Sequence, residues 1–535
     1  MAFSYNNVNN KQLSFCDSFD FLTTREQRVL DKSWAKSFAE IIFPSIDESP
    51  YAVLYSDKDS RPNSPANVTI GALILKELTG STDDEILESL MFDVRYQYAL
   101  HTTHFEEQPL SDRTLGRFRE RCRIYEEETG IDLIHETVVS LTDEMSKLMK
   151  IDRQLKRMDS LMVASNIKKM SRLELLYTCV SNLVKRMVTI KIELPENLQH
   201  YMQTEDRNIV LYHNRSDETE TKIDAVLKDA ALLMNLCLGQ LDEFSEYLLL
   251  VRVLKEQTFK DKEGNYHLKE AGAEGLNGSI LQNPSDPDAT YREKAGKQYR
   301  GYTANVIEET CENGSLISDY QYEQNIHSDS QFTKETIAQL GEQKDKVTIV
   351  ADGAFSGSEN KELAAANNIE LVSTNLTGKA SPDIYADFTF NENGTKVVQC
   401  AGGFLPKSCC FNAKSGQCVA SFERSQCDSC PFKNQCNPKL NKRTARKTIS
   451  LNSKNRAQQQ RYRTTDEFKK LSAFRNGVET IPSILRRKYS IDHMPVRGKL
   501  RCKFFFGCKI AALNVTKLCK FLHDTDYYAQ KPKIA

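Results

Sequence analysis

A strand-like run at Gln154–Ile167 is cut off from all later strand-like runs by residues 171–285, which read as mostly helical. Any sheet that uses the first run must therefore accommodate a large helical insertion. The later runs follow in close order. Tyr302–Ile307 and Leu316–Tyr320 flank Asn313-Gly314, a strong hairpin signal. A helix is expected near Lys334–Gly341, a strand ending at Asp352, a helix over Asn360–Asn367 and a strand over Ile369–Ser373. Strand, hairpin partners, helix, strand, helix, strand is the order of an RNase H-like sheet. The expected fold class is α/β: an RNase H-like mixed sheet flanked by helices, with a helical N-terminal domain and two insertions, one helical and one Cys-rich.

The N-terminal part reads as helical. One helix is expected near Gln27–Phe43. From Val68 to Leu100 apolar residues recur at three and four (Ile70, Leu73, Leu75, Leu78, then Ile86, Leu87, Leu90, Met91). That pattern predicts a helical pair joined at Gly80–Asp84, with Ser81 or Thr82 as cap. Ser111–Leu115 opens a further helix whose basic face includes Arg113, Arg117, Arg119 and Arg121. Ile223–Leu254 is the clearest helical run inside the first insertion, and Ser285–Asp288 is a turn. The expected division is 1–150, helical, with that basic face a candidate DNA surface; 151–170, the first strand; 171–285, the helical insertion; 286–377, the rest of the α/β core; 378–465, the Cys-rich basic insertion; and 466–535, C-terminal helices that bring a further carboxylate.

The chain has 535 residues, enough for about three or four domains. Its 72 basic and 73 acidic residues nearly cancel, so any nucleic-acid surface must come from local clustering. There is no run of about 18 apolar residues, and none of the opening residues resembles a secretory leader. No membrane association is expected, and the expected location is cytoplasmic. The 15 cysteines do not suggest a disulfide framework, but seven of them fall between Cys400 and Cys436.

Three stretches each offer one carboxylate: Lys156–Ser160 with Asp159, Val347–Gly353 with Asp352, and Arg475–Glu479 with Glu479. Acidic groups on neighbouring strands and a nearby helix can hold hard divalent cations, which assist in-line phosphodiester chemistry. Cys427-x2-Cys430-x5-Cys436 has metal-ligand spacing for zinc, with Cys418, Cys410 or Cys409 open as a fourth ligand. From Pro431 to Thr465 there are ten Lys or Arg, including Arg443, Arg446 and Lys447, and no Asp or Glu. Such a tract suits a phosphate backbone. A second basic stretch runs from Arg486 to Lys509.

Met158–Lys168, Ser285–Ala289, Gly301-Tyr302, Ala351–Phe355 and Arg475–Glu479, taken in that order, resemble DDE transposases of bacterial insertion sequences. The nearest branch is the insertion-sequence-eleven-eighty-two group, within the insertion-sequence-four-like DDE transposases. Pro65–Arg121 is similar to that family's helical leader, and the Cys-Pro cluster also has a counterpart there. The resemblance implies that Asp159, Asp352 and Glu479 bind Mg²⁺ or Mn²⁺. It also implies that Arg475 and a basic residue beyond the Glu, here Arg486, hold DNA phosphates. Arg113 and Arg117 join Arg443, Arg446 and Lys447 as expected DNA contacts. Cys418, Cys427, Cys430 and Cys436 are the expected structural zinc set. The implied partner is double-stranded DNA, bound by a homodimer in the synaptic complex. Ser472 stands where related transposases often have Tyr, and Pro482 separates Glu479 from Arg486. The rival readings are a nuclease of the same fold that cuts without joining, and a silent, transposase-derived DNA-binding protein.

Overall fold

The computed structural model describes residues 2–6, 17–56, 62–103, 108–212, 216–294, 296–312, 314–375 and 380–524. The architecture is mixed α/β, with sheet strands flanked by helices. The chain forms two compact units, 1–347 with 479–535, and 348–478.

In the first unit, β1 (Asp152–Ala164) pairs antiparallel with β3 (Lys297–Cys311), placing Asp159 opposite Val306 and Ala164 opposite Gly301. The other edge of β3 carries β2 (Thr290–Lys294) along its first part and β4 (Gly314–Gln324) along the rest. The hairpin expected at Asn313-Gly314 joins β3 to β4, although Asn313 itself lies outside the described residues. β2 was not legible: Tyr291-Arg292-Glu293-Lys294 is a polar edge strand without apolar alternation.

Charges stitch this sheet together. Lys156 meets Glu309 across the β1–β3 pair, while Arg157 and Lys517 both meet Glu308. Glu308 and Glu309 are almost fully buried, so each needs its partners to remain charged inside. Burial pushes the Lys517 ammonium downward, against the pull of Glu308.

Within the first unit the N-terminal helices pack against the C-terminal helix. Helix Ala66–Thr79 is buried on all sides from Ala66 to Glu77. So is the C-terminal helix Lys499–Asp524 from Phe504 to Val515. Helices that are apolar all round must sit inside a core. The C-terminal helix packs on Ala66–Thr79, on Leu133–Met149 and on β4. Lys509 pairs with Glu77 at 2.5 Å, and Lys76 lies 4.8 Å from the centre of the Phe505 ring. The cap at Thr82 is a full capping box with Glu85, and helix Asp83–Phe92 follows it. The helix expected over Gln27–Phe43 is broken into Thr24–Asp31, Trp34–Ser37 and a π-turn at Phe38–Ile42.

Residues 171–285 fold around their own apolar core. Helices Arg172–Thr189, Ser216–Cys237 and Ser245–Gln257 pack on one another there. The single run read over Ile223–Leu254 is two helices, because the chain turns at 238–244, where Gly239 takes a φ of +75°.

Beyond its first residue, β5 (Val347–Ala351) belongs to the second unit, where it neighbours β6 (Ile369–Ser373) and is joined to it through helix Ser358–Ala366. The Cys-rich segment then forms a four-stranded sheet in the order 408–412, 417–423, 444–450, 439–440. Its core is small: Phe388, Val397, Cys418, Ala420, Phe422 and Ile449.

Candidate active site and its surroundings

In the first unit, Asp159 is half-buried in the middle of β1. Its neighbour Ser160 donates to Asp329 at 2.8 Å, which ties β1 to helix Asp329–Leu340. Glu479 is exposed and sits in the N-cap position of helix Thr480–Arg487. Pro482 falls in the first turn of that helix, where a missing N–H costs little. The third motif therefore spans a break between two helices, with Glu479 at the start of the second.

Arg486, expected to hold a DNA phosphate, makes two contacts within the fold. Its Nη2 donates to the Met162 carbonyl at 2.8 Å, and its Nε donates to Asp492 at 3.0 Å. Asp492 in turn accepts the Ala164 N–H at 3.1 Å. The helix that begins at Glu479 is thus bolted by its far end to the strand that carries Asp159.

Asp286 anchors the same end of β1. It is fully buried and accepts from Tyr302 Oη at 2.6 Å, from the Gly498 N–H at 3.2 Å and from the Ser165 hydroxyl. The motif residues Asp286 and Tyr302 therefore hold the scaffold together around the strand. Burial, then the Asp286 contact, pushes the Tyr302 phenol far upward.

In the second unit, Asp352 is half-buried directly beyond β5. Its Oδ1 accepts the Gly353 N–H at 2.6 Å and the Asn375 side-chain N–H at 3.0 Å. Asn375 lies just past β6, so two strand ends together orient this carboxylate. Nothing in its residue type or spacing marks Asn375 beforehand.

The expected DNA contacts divide by burial. Arg113, Arg117, Arg443 and Arg446 are exposed. Arg475 is buried at 8% exposure, in the last turn of helix Asp466–Asn476, where a cation complements the helix dipole. Lys447 is buried too, donating to the Cys436 carbonyl and lying 4.7 Å from the centre of the Tyr385 ring. Both side chains are buried in this structure. Strand alternation explains the second case, since Ala445, Lys447 and Ile449 point inward and Arg446 outward.

The expected fourth cysteine ligand does not line the cavity that holds the other three. Cys418 is fully buried in the small apolar core, with its Sγ 3.8 Å from the Gly394 carbonyl. Burial, then Cys409, pushes its thiol up to about 11. Cys400 instead shares a cavity with Cys427, Cys430 and Cys436. Burial, then the sulfurs of Cys400, Cys436 and Cys430, pushes Cys427 up to about 11, which places the four within mutual electrostatic reach. Among the described residues, no set of three or more His, Cys, Asp or Glu is gathered into a formed metal site.

His135 was passed over in the sequence, yet its Nε2 lies 2.7 Å from Asp319 of β4. Burial opposes protonation there, but the Asp319 hydrogen bond and the Asp319 and Asp132 charges outweigh it and raise the imidazole pKa. A raised folded-state pKa stabilises the fold below the unfolded value of about 6.5, and that stability is lost as pH rises through the folded value. The thermal midpoint of the wild type should therefore exceed that of His135→Gln most at pH 6. The gap should narrow toward pH 9, and a gap that widened with pH would contradict the pairing.

No described helix is long and apolar enough to cross a membrane. Two family models match the chain. One, described as Transposase DDE domain, covers residues 401–519, and the other, described as Transposase domain (DUF772), covers residues 27–121. The first begins inside the Cys-rich segment and runs through Glu479, while Asp159 and Asp352 lie outside it. The second spans Arg113 and Arg117. No curated protein and no solved structure matches the chain. The two matched segments, one toward each end of the chain, indicate a DNA transposase with a DDE-type domain.

Proposed function

We propose that this chain is a DDE transposase of the insertion-sequence-eleven-eighty-two group. It would bind the terminal inverted repeats of its own element as a homodimer, cleave strands there and join the freed 3′ ends to target DNA. The observation that carries the reading is the pair of transposase matches together with three carboxylates placed at a strand centre, a strand end and a helix start. In this reading 286–377 together with β1 is an RNase H-like core.

Asp159, Asp352 and Glu479 would converge to hold the divalent ions. Their donors are hard carboxylate oxygens, which suit Mg²⁺ or Mn²⁺. When bound, such ions supply Lewis acidity toward the attacking and leaving oxygens. The chain's own part is positioning. Gly353 and Asn375 aim Asp352, and the Arg486–Asp492 clamp ties the Glu479 helix to the Asp159 strand. Arg446 and Lys439 stand directly opposite across the strand pair 439–440 and 444–450. Like charges so placed repel unless an anion lies between them, and a DNA phosphate meets that need. Arg443, Arg113 and Arg117 add exposed cations.

The test is a reaction of the full chain with Mg²⁺ and DNA carrying the inverted repeats that flank its gene. Cleavage at the repeat ends followed by joined products supports the proposal. Cleavage without joined products would favour a nuclease. Binding with neither product would favour a silent DNA-binding protein.

A further inference from the structure

Sulfur is the chemistry in the second unit that the proposed reaction leaves unused. Cys400, Cys427, Cys430 and Cys436 line a cavity of about 20 Å³. That is room for about one water-sized occupant, so an ion fits and an organic ligand does not. Much of the remaining wall is aromatic, from Phe388, Phe404, Phe422 and Phe432. A water molecule would find few hydrogen-bond partners there. At Gly402 the backbone comes close to the sulfur: an added Cβ would stand 2.9 Å from Cys430 Sγ and 3.3 Å from the Phe404 ring.

We propose that Cys400, Cys427, Cys430 and Cys436 bind one zinc ion as a closed tetrathiolate site that locks the Cys-rich module. Four soft sulfur ligands around a small space match structural zinc, whose four positions they would fill. In this structure the thiols surround the cavity without meeting at a point, so they turn inward as the ion enters. On binding, each thiol releases a proton to solvent and each sulfur donates an electron pair to the ion. One dication thus replaces four protons, and the site carries two net negative charges. Lys447, donating to the Cys436 carbonyl, is placed to offset part of that charge, while Lys433 on the cavity wall pairs with Asp428. The site also accounts for Lys447 pointing inward from an otherwise outward-facing basic tract. The module's own core is small, and small cores commonly depend on such a cross-link. The proposal stands or falls independently of the transposase reading.

The experiment measures metal content in the full chain after native purification. One zinc per chain is expected, with no iron. Cys400→Ser and Cys430→Ser should lose it, while Cys410→Ser and Cys418→Ala should keep it. Titrating folded wild type with a mercurial thiol reagent should release zinc in step with four thiols, a readout that does not depend on any variant folding. Folded wild type without zinc, iron in its place, or zinc kept in Cys400→Ser and lost in Cys418→Ala would each overturn the assignment.

Discussion

Asp352→Asn is expected to lower Mg²⁺-dependent strand cleavage by on the order of a thousandfold, about 4 kcal/mol of barrier, with binding of element ends unchanged. The change is nearly isosteric. The amide oxygen can still accept the Gly353 N–H and the Asn375 side-chain N–H, so the local fold should survive. What disappears is a negative charge at the point where a hard cation is proposed to sit. Asp159→Asn and Glu479→Gln should give losses of the same order, because the three carboxylates would act as one site and their effects would not add. Asp352→Cys offers a sharper check. A thiolate is a poor ligand for Mg²⁺ and a better one for Mn²⁺, so Mn²⁺ should restore part of the activity of that variant alone. Wild-type cleavage rates in Asp352→Asn would remove Asp352 from the site.

Local chemistry was legible in the sequence, and convergence over distance was not. Thr82 and Glu85 form their capping box within a few residues, and the helical pair around it follows the apolar spacing. Asp352 falls one residue past the strand expected to end there, and Ile369–Ser373 is a strand over the range read from its pattern. Charge runs misled, because a count of Lys and Arg carries no direction. Lys447 and Arg446 are adjacent, yet period-two geometry sends one to Cys436 and the other to solvent. Spacing left Cys418, Cys410 or Cys409 open as the fourth ligand beside Cys427, Cys430 and Cys436, and strand pairing buries Cys418 in the core beside Cys409. The contacts of Arg486 with Met162, far away in sequence, and with Asp492, beyond a turn, carry no local signal in the sequence. The matched family segments cover Glu479 but neither aspartate, so the assignment of Asp159 and Asp352 stands on motif order and on their placement at a strand centre and a strand end.

Gly301→Ala is expected to destabilise the first unit by about 3–5 kcal/mol, combining a strained backbone with overpacking against atoms that cannot yield. Gly301 has a φ of +139°, a conformation that side chains of the L hand rarely adopt. A Cβ there would stand 2.4 Å from Ser165 N and 2.5 Å from the Val163 carbonyl oxygen. Both are backbone atoms of the chain leaving β1, so no rotamer change relieves the contact. Relief requires β1 and β3 to part where Ala164 faces Gly301. The same junction carries the buried Asp286, its Tyr302 and Ser165 donors, and the Asp492 acceptor that receives the Ala164 N–H. Opening it would strand several buried polar groups together, each costing about 1–3 kcal/mol when left without a partner. The effect should therefore reach past stability to the position of Asp159 on β1. Thermal unfolding of Gly301→Ala should show a lower midpoint for the first unit. Cleavage should fall even at temperatures where the variant remains folded. Ala tolerated at 301 with an unchanged midpoint would mean that β1 and β3 do not meet in this register.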